Sequence, residues 1–331
     1  MEVVKTTPEE LLKGYKERIE SLLFNGNSND KVKGLYEPIE YLLQIGGKRL
    51  RPCMVLAGCE GIGGNPEDAL HAALAIEVFH NFSLMHDDIM DDAPLRRGEV
   101  TVHEKWNANA AILSGDAMLV QAYQYLAKSS PQHLPKLLTL FNTTAIEVCE
   151  GQQLDMEFET RTDVEIEEYM EMIRLKTSVL LAASIQMGMI IGGASEEQHL
   201  LGYEFGLEAG LAFQLQDDYL DAFGDPTKFG KQIGGDILSD KKTHLYLTCR
   251  ANASSSQLAQ LDKWVGKTAS PQEKIEEVKA LFVETGAANV LQEQMRFHYD
   301  KALSALSKLK LTDEGKQLFN FLAELVHIRN V

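Results

Sequence analysis

The sequence predicts an all-α fold, a single-domain bundle of long helices over residues 1–331, and three observations predict it. Only nine prolines interrupt 331 residues, which leaves room for long unbroken helices. Apolar residues recur at three- and four-residue intervals along most of the chain. Alternating β-branched runs bounded by Asn-Gly turns do not occur. No long Ser/Pro-rich segment divides the chain, and no repeat of fixed period runs through it.

From Pro8 to Phe24, residues Leu11, Leu12, Tyr15, Ile19, Leu22 and Leu23 fall at helical spacing, with Thr7 placed as the N-cap. Pro66 to Met90 reads as one long helix. Pro66 suits its first turn, and Leu70, Leu74, Ile76 and Phe79 point inward. Further helices are expected over 108–128, 133–159, 164–192, 197–223, 241–250, 271–285, 287–308 and 312–329. The longest apolar segment, Val179 to Ala194, is interrupted by Ser184 and Gln186 and reads as a buried core helix. Gly61–Gly64, Gly192–Gly193 and Gly234–Gly235 read as connections, and the most open loops are placed at 26–32 and 251–257.

A formal net charge of -17 argues against a nucleic-acid partner, because so acidic a chain repels phosphate backbones. It leaves room for a small anion held by a local cluster of Lys and Arg. Cys53, Cys59, Cys149 and Cys249 form no CxxC pair, which fits a reducing compartment. The N-terminus, MEVVKTTPEELLKGYKERIE, has no apolar stretch before a small-residue cleavage site. A cytoplasmic protein without a membrane anchor is expected.

Two acidic clusters carry the chemistry. HDDIMDD holds Asp87, Asp88 and Asp91, and QDDYLD holds Asp217, Asp218 and Asp221, each a D-D-x-x-D pattern. On a helix, positions i and i+4 share a face, so Asp87 stacks over Asp91 and Asp217 over Asp221. Like charges at that spacing destabilise a helix, and the apolar neighbours (Phe79, Phe82, Leu84, Met85; Phe213, Leu215, Tyr219, Leu220) argue against a freely solvated face. Hard carboxylate oxygens without His ligands suit Mg²⁺, which keeps part of its shell for water and substrate phosphate. Neither segment has the glycine and terminal Glu of an EF-hand.

Cations for a phosphate substrate lie at compact spots. GGKRLRP supplies Lys48, Arg49 and Arg51, and LRRG supplies Arg96 and Arg97 just past the first cluster. Arg suits bidentate diphosphate binding, whereas Lys acts as a mobile point charge. Lys176, Lys231 and Lys241 are further candidates.

The ordered set GGKRLRP, DDIMD, LRRG, GQQLD, KT, FQLQDDYLD, FGK and GGD followed by KKT resembles the trans-isoprenyl diphosphate synthase (polyprenyl synthetase) family from Gly46 to about Thr243. The resemblance implies an all-α bundle around a deep central cavity, generally homodimeric, that adds isopentenyl diphosphate to an allylic diphosphate. Carried over, it implies that Asp87 and Asp91, supported by Asp88 and Asp92, hold Mg²⁺ together with Asp217 and Asp221. Arg96, Lys176, Lys231 and Lys241 would contact the allylic diphosphate. Lys48, Arg51, His80 and Arg97 would bind the diphosphate of isopentenyl diphosphate, and Thr177 and Gln214 would face the allylic cation. His80, seven residues before Asp87, would by itself read as a core histidine; the match to the family position reverses that reading.

Product length would be set along the helix before the first cluster. Phe82, five residues upstream of Asp87, resembles an aromatic floor that stops growth, with the small Ser83 beside it. Phe82 and the uninserted DDIMD together resemble geranylgeranyl diphosphate synthases, with a farnesyl product as the close alternative. The tail HIRNV has Arg329 but no following lysine, which argues against a basic C-terminal lid. A class I terpene cyclase would lack the second-diphosphate set of Lys48, Arg51 and Arg97. A non-catalytic partner subunit would lack one Asp motif.

Overall fold

The computed structural model describes residues 7–24, 32–224, 233–267 and 269–327. The chain divides into two compact units. The first gathers Met1–Thr144, Leu180–Tyr203 and Lys308–Phe321; the second gathers Ala145–Val179, Glu204–Ser307 and Leu322–Val331. Among the described residues, β-structure is confined to a hairpin with two residues in each strand.

In the first unit, α1 (Pro8–Phe24) starts where predicted. Thr7 Oγ1 accepts from the Glu10 N–H at 3.2 Å and Glu10 reaches back to the Thr7 N–H at 2.9 Å, a reciprocal capping box. Helices α2 (Lys33–Gln44) and α3 (Leu50–Gly61) were not expected. Nine of the twelve residues of α3 are buried, so it faces apolar neighbours all round and shows no amphipathic period. The expected 66–90 helix begins as a 3₁₀ turn (Pro66–Ala69) and continues as α4 (Leu70–Met90), with Leu70, Leu74, Ile76 and Phe79 all buried. After α4 come strands β1 (Leu95–Arg96) and β2 (Glu99–Val100), a short α5 (Val102–Lys105) and α6 (Ala108–Leu126), which packs along α4.

Helix α7 (Leu134–Thr160) follows, then α8 (Ile166–Ile173), a π-helical turn (Arg174–Ser178), α9 (Val179–Ile191) and α10 (Glu196–Phe223). The stretch Ile166–Ile191 is long and apolar enough to cross a membrane, and 83% of its apolar window is buried inside the protein, as expected of a core helix. The second unit's core gathers Phe158, Tyr169, Leu215, Leu245, Trp264, Phe282 and Leu291. Lys242 Nζ donates to the carbonyls of Phe158 and Glu159 at 2.6 and 3.0 Å, satisfying acceptors that the end of α7 leaves open. The loop expected at 251–257 shrinks to Ala253 and Ser254. Ser254 and Gln257 form a capping box that starts the helix Ser255–Trp264.

Candidate active site

Both acidic clusters sit at the C-terminal ends of their helices, where the macrodipole is negative and each added carboxylate costs about 0.3–1 kcal/mol. Asp87 lies in the last turn of α4 and Asp91 caps it, its N–H bonded to the Asp87 carbonyl at 2.9 Å. Four carboxylates (Asp87, Asp88, Asp91, Asp92) at this end oppose helix stability, so the segment is built to meet positive charge.

The middle aspartate is already engaged. Asp88 is 2% exposed, and Arg96 Nε donates to both of its oxygens at 2.8 Å. Arg96 Nη2 adds contacts to Asp88 Oδ1 at 2.7 Å and to Asp87 Oδ2 at 3.3 Å. Burial raises the Asp88 carboxyl, and the Arg96 guanidinium opposes that rise. Asp92 stands beyond the helix, exposed, with a left-handed φ of 48°.

The β1–β2 hairpin, which sequence reasoning missed, positions the two arginines of LRRG. Leu95 pairs with Val100 and Arg96 with Glu99. The turn residues Arg97 (φ 54°) and Gly98 (φ 85°) both lie in the left-handed region, the signature of a type I′ turn. Gly98 takes that conformation freely, but Arg97 pays about 1–2 kcal/mol for it. A side chain held at that cost has a geometric task, and here Arg97 Nη1 donates to the Gly46 carbonyl in the GGKRLRP loop.

The cations of GGKRLRP divide. Arg49 is 3% exposed and structural: it pairs with Glu77 at 2.5 Å, donates to the Leu43 carbonyl and reaches Glu20. Lys48 is exposed. Arg51 Nη1 meets His80 Nε2 at 3.2 Å, while the buried Arg51 Nε has no hydrogen-bond partner among the described residues. Burial, with Arg97 nearby, lowers Arg51 to about 10. Burial and then Arg51, Arg97, Arg96 and Arg49 push His80 well below its ordinary value, so its ring is neutral. A neutral ring that accepts at Nε2 from the guanidinium carries its proton on Nδ1. Partial burial and the like charges of Arg49 and Arg96 also lower Arg97, with Glu77 opposing. Crowded cations that depress one another's pKa are arranged for a polyanion.

On α4, the half-buried Phe82 ring lies 5.6 Å from Phe79 and 4.8 Å from His86. Phe79 is backed by Phe141 at 5.2 Å, so Phe82 is held in a row of rings between Phe79 and His86. The Ser83 hydroxyl donates to the His80 carbonyl at 2.8 Å, one turn back on its own helix.

In the second unit, the KT pair falls on the π-helical turn, a local widening frequent at functional sites. Two glycines admit it. A Cβ on Gly151 would overlap the Lys176 backbone nitrogen and lie 2.7 Å from Lys176 Cα, and one on Gly210 would lie 2.9 Å from Ser178 Cα. Lys176 Nζ donates to Asp155, from GQQLD, at 2.6 Å, and Thr177 is half-buried. Asp155 is a site neighbour whose role the motif alone did not give.

The second cluster repeats the division of the first. Asp218 is buried and accepts from the Tyr169 hydroxyl at 2.5 Å. Burial, with Asp236 and Asp217 close by, raises its carboxyl well above the ordinary range. No sequence signal singled out Tyr169. The outer residues Asp217 and Asp221 are half-buried, as is Gln214. Asp221 anchors the GGD segment: its carbonyl accepts from Gly234 N–H at 2.7 Å and its Oδ2 from Asp236 N–H at 3.0 Å. Lys241 follows, exposed, with its N–H on the Asp236 carbonyl at 2.9 Å. Lys231 and Arg329 lie outside the described residues.

The profile of one family, described as Polyprenyl synthetase, matches residues 32–282. The chain belongs to the polyprenyl synthetase family. It is 36% identical over 310 residues to a short chain isoprenyl diphosphate synthase of Methanothermobacter thermautotrophicus, covering 93% of this chain and 95% of that one. It superposes on a geranylgeranyl pyrophosphate synthetase from Pyrococcus horikoshii with a TM-score of 0.91 at 36% identity, covering 97% and 99% of the two chains. A second solved geranylgeranyl pyrophosphate synthase gives a TM-score of 0.90 at 44% identity, covering 98% and 99%.

The donor set of this polyprenyl synthetase fits the divalent metal that its family implies. In each cluster the middle aspartate is consumed by an internal partner, and the outer pair, one helical turn apart, offers hard oxygens with no sulfur or imidazole between them. Asp87 with Asp91, and Asp217 with Asp221, are the outer pairs that offer oxygen donors of the kind a divalent cation takes.

Proposed function

We propose that this polyprenyl synthetase is a short-chain trans-prenyltransferase that condenses isopentenyl diphosphate with an allylic diphosphate and stops at the C20 product, geranylgeranyl diphosphate. The observation that carries the reading is the pair of cations Arg51 and Arg97, with the neutral His80 ring against Arg51. A cyclase that ionises a single diphosphate has no need of it; a transferase with a second diphosphate does. The relatives named geranylgeranyl pyrophosphate synthase support the C20 product.

Bound at the outer aspartates, Mg²⁺ supplies the charge that stabilises diphosphate as a leaving group. Lys176 and Arg96, with Lys231 and Lys241, add positive charge to the allylic diphosphate as its C–O bond breaks. The π-helical turn presents Thr177 beside Lys176, where its hydroxyl, with the Gln214 side-chain carbonyl, offers oxygen lone pairs to the allylic cation. Arg51, Arg97 and Lys48 hold the isopentenyl diphosphate, and neutral His80 orients Arg51 without adding charge. The isopentenyl double bond then attacks the cation, and the departing proton goes to the released diphosphate. Apolar walls keep water from quenching the cation to an alcohol, and Phe82 ends the tunnel.

The enzyme is proposed to work as a cytoplasmic homodimer that binds no nucleic acid. On α6, Leu113 and Val120 lie two turns apart on one face and are 60% and 58% exposed, an apolar stripe suited to a second copy.

The test is a product assay with Mg²⁺, isopentenyl diphosphate and dimethylallyl, geranyl or farnesyl diphosphate, resolving chain lengths. Farnesyl diphosphate elongated to C20 with little beyond is the expected result, abolished by EDTA and restored by Mg²⁺. Arrest at C15 overturns the product assignment, and no elongation from any primer in folded protein overturns the transferase.

A further inference from the structure

Between the first acidic cluster and α6, three side chains converge that the reaction above does not use as a set. Asp92, His103 and Glu104 place one ligand atom each within 4.8 Å of the others. His103 Nε2 lies 3.7 Å from Glu104 Oε1 and 4.0 Å from Asp92 Oδ1. Acidic residues alone would signify little here. The imidazole is different: its side chain is only 8% exposed, yet neither ring nitrogen has a hydrogen-bond partner among the described residues. A buried ring nitrogen left unmade costs about 1–3 kcal/mol, so the position calls for a partner.

We propose that Asp92, His103 and Glu104 form a second divalent-metal site, one that takes Zn²⁺ and is separate from the outer aspartate pairs. One nitrogen and two carboxylate oxygens, with a position left for water, suit a borderline-soft tetrahedral ion. Imidazole favours Zn²⁺ over Mg²⁺, whereas the Asp87/Asp91 and Asp217/Asp221 pairs are all-oxygen. Metal–ligand distances of about 2.0–2.2 Å put tetrahedral ligands roughly 3.4 Å apart, so the 3.7 and 4.0 Å from His103 must close by a few tenths of an ångström, and the separation of the two carboxylates, within 4.8 Å, by up to about 1.4 Å. The Asp92 and Glu104 side chains, 96% and 51% exposed, are free to make that movement, while the buried ring is the fixed point. Asp92 is held ready in its left-handed conformation immediately after Asp91. An ion there would tie the segment leading into the hairpin of Arg96 and Arg97 to α5.

Equilibrium dialysis of the full chain against Zn²⁺, with Mg²⁺ in large excess and no substrate, tests the site. Co²⁺ serves as its spectroscopic stand-in. Because no turnover is read, the outcome is independent of the proposed prenyl transfer. The wild type is expected to retain one Zn²⁺ per chain and to show the visible bands of tetrahedral Co²⁺. His103→Asn and Glu104→Gln should each weaken retention at least about tenfold, the lower end of what loss of even an outer-shell partner costs. Glu104 is exposed, so Glu104→Gln decides the matter should His103→Asn fail to fold. A wild type that keeps no Zn²⁺ under Mg²⁺ excess, or a folded Glu104→Gln that binds like the wild type, overturns the site.

Discussion

Gly151→Ala perturbs the proposed active site from behind, without touching a side chain that meets substrate. The added Cβ would overlap the Lys176 backbone nitrogen and lie 2.7 Å from Lys176 Cα and 2.8 Å from the Leu175 carbonyl carbon, against 3.4–4 Å for ordinary contact. All three obstacles are backbone atoms, so no rotamer change relieves them. The π-helical turn carrying Lys176 and Thr177 must retreat by about 1 Å, and overpacking of this kind costs about 1–3 kcal/mol. With an unfolding entropy of about 2.1 cal/mol/K per residue over 331 residues, Tm should fall by only about 1–4 °C. A displacement of that size at reacting groups costs about 10²-fold in kcat/KM. Gly14→Ala is the matched control: nothing lies within 4 Å of its Cβ, the position is an exposed helix interior, and the substitution should add about 0.5–1 kcal/mol. Steady-state kinetics with varied allylic diphosphate, alongside thermal melts by circular dichroism, read both quantities. A Gly151→Ala enzyme with wild-type kcat/KM would refute the claim that the π-helical turn positions the site.

Three further outcomes follow from the same geometry. Asp87→Ala and Asp217→Ala should each lower turnover at least about 10²-fold while the circular dichroism spectrum holds; retained activity in both would remove the metal assignment. Phe82→Ala should extend the product beyond C20, read by chromatography of the dephosphorylated alcohols, and an unchanged product would take Phe82 out of the floor. His244, buried and lowered from 6.5 to about 4, stays neutral in the fold while the unfolded chain takes up its proton. Stability therefore falls as pH drops from 6.5 towards 4, by up to about 3 kcal/mol from this group. His244→Gln should flatten the pH dependence of the urea midpoint in that window. An unaltered slope would place the sensitivity elsewhere, with His80 and His199, which are lowered in the same direction.

The amphipathic helices were legible in the sequence because a half-buried helix must alternate at its own period, and α1, α4 and α6 were placed to within a few residues. Helix α3 was not, because burial on nearly every side erases the period that betrays a helix. The hairpin escaped for a different reason. Two residues per strand are too few to alternate, and its turn is Arg-Gly where Asn-Gly is the usual signal. The site divides the same way. Charges announce themselves in a motif, so the aspartates and arginines were named; their internal partners were not. Nothing in the sequence sets Tyr169 apart from nine other tyrosines, and the place of Gly151 against the π-helical turn is visible only once the turn exists.

Within each D-D-x-x-D, the three aspartates have two jobs, and helix geometry assigns them. Consecutive residues are 100° apart on a helix, so the second aspartate cannot share the face of the first and fifth positions of the motif. In α4 that second residue is buried and clasped by Arg96; in α10 it is buried and bonded to Tyr169. An unpartnered carboxylate at either place would be expensive to bury, and a protonated one would lose its hold on a cation. The two partners differ in consequence. Arg96 opposes the rise that burial imposes on Asp88 with a full positive charge and ties the first cluster to the strained hairpin that also presents Arg97, so the acidic cluster and the two arginines are mechanically one piece. Tyr169 opposes the rise that burial imposes on Asp218 with a hydrogen bond from a neutral group, and fixes α10 to α8 and so to the π-helical turn that follows. The placing of the two outer pairs therefore rests on two unlike internal supports, and only the first of them, Arg96, is itself a charge.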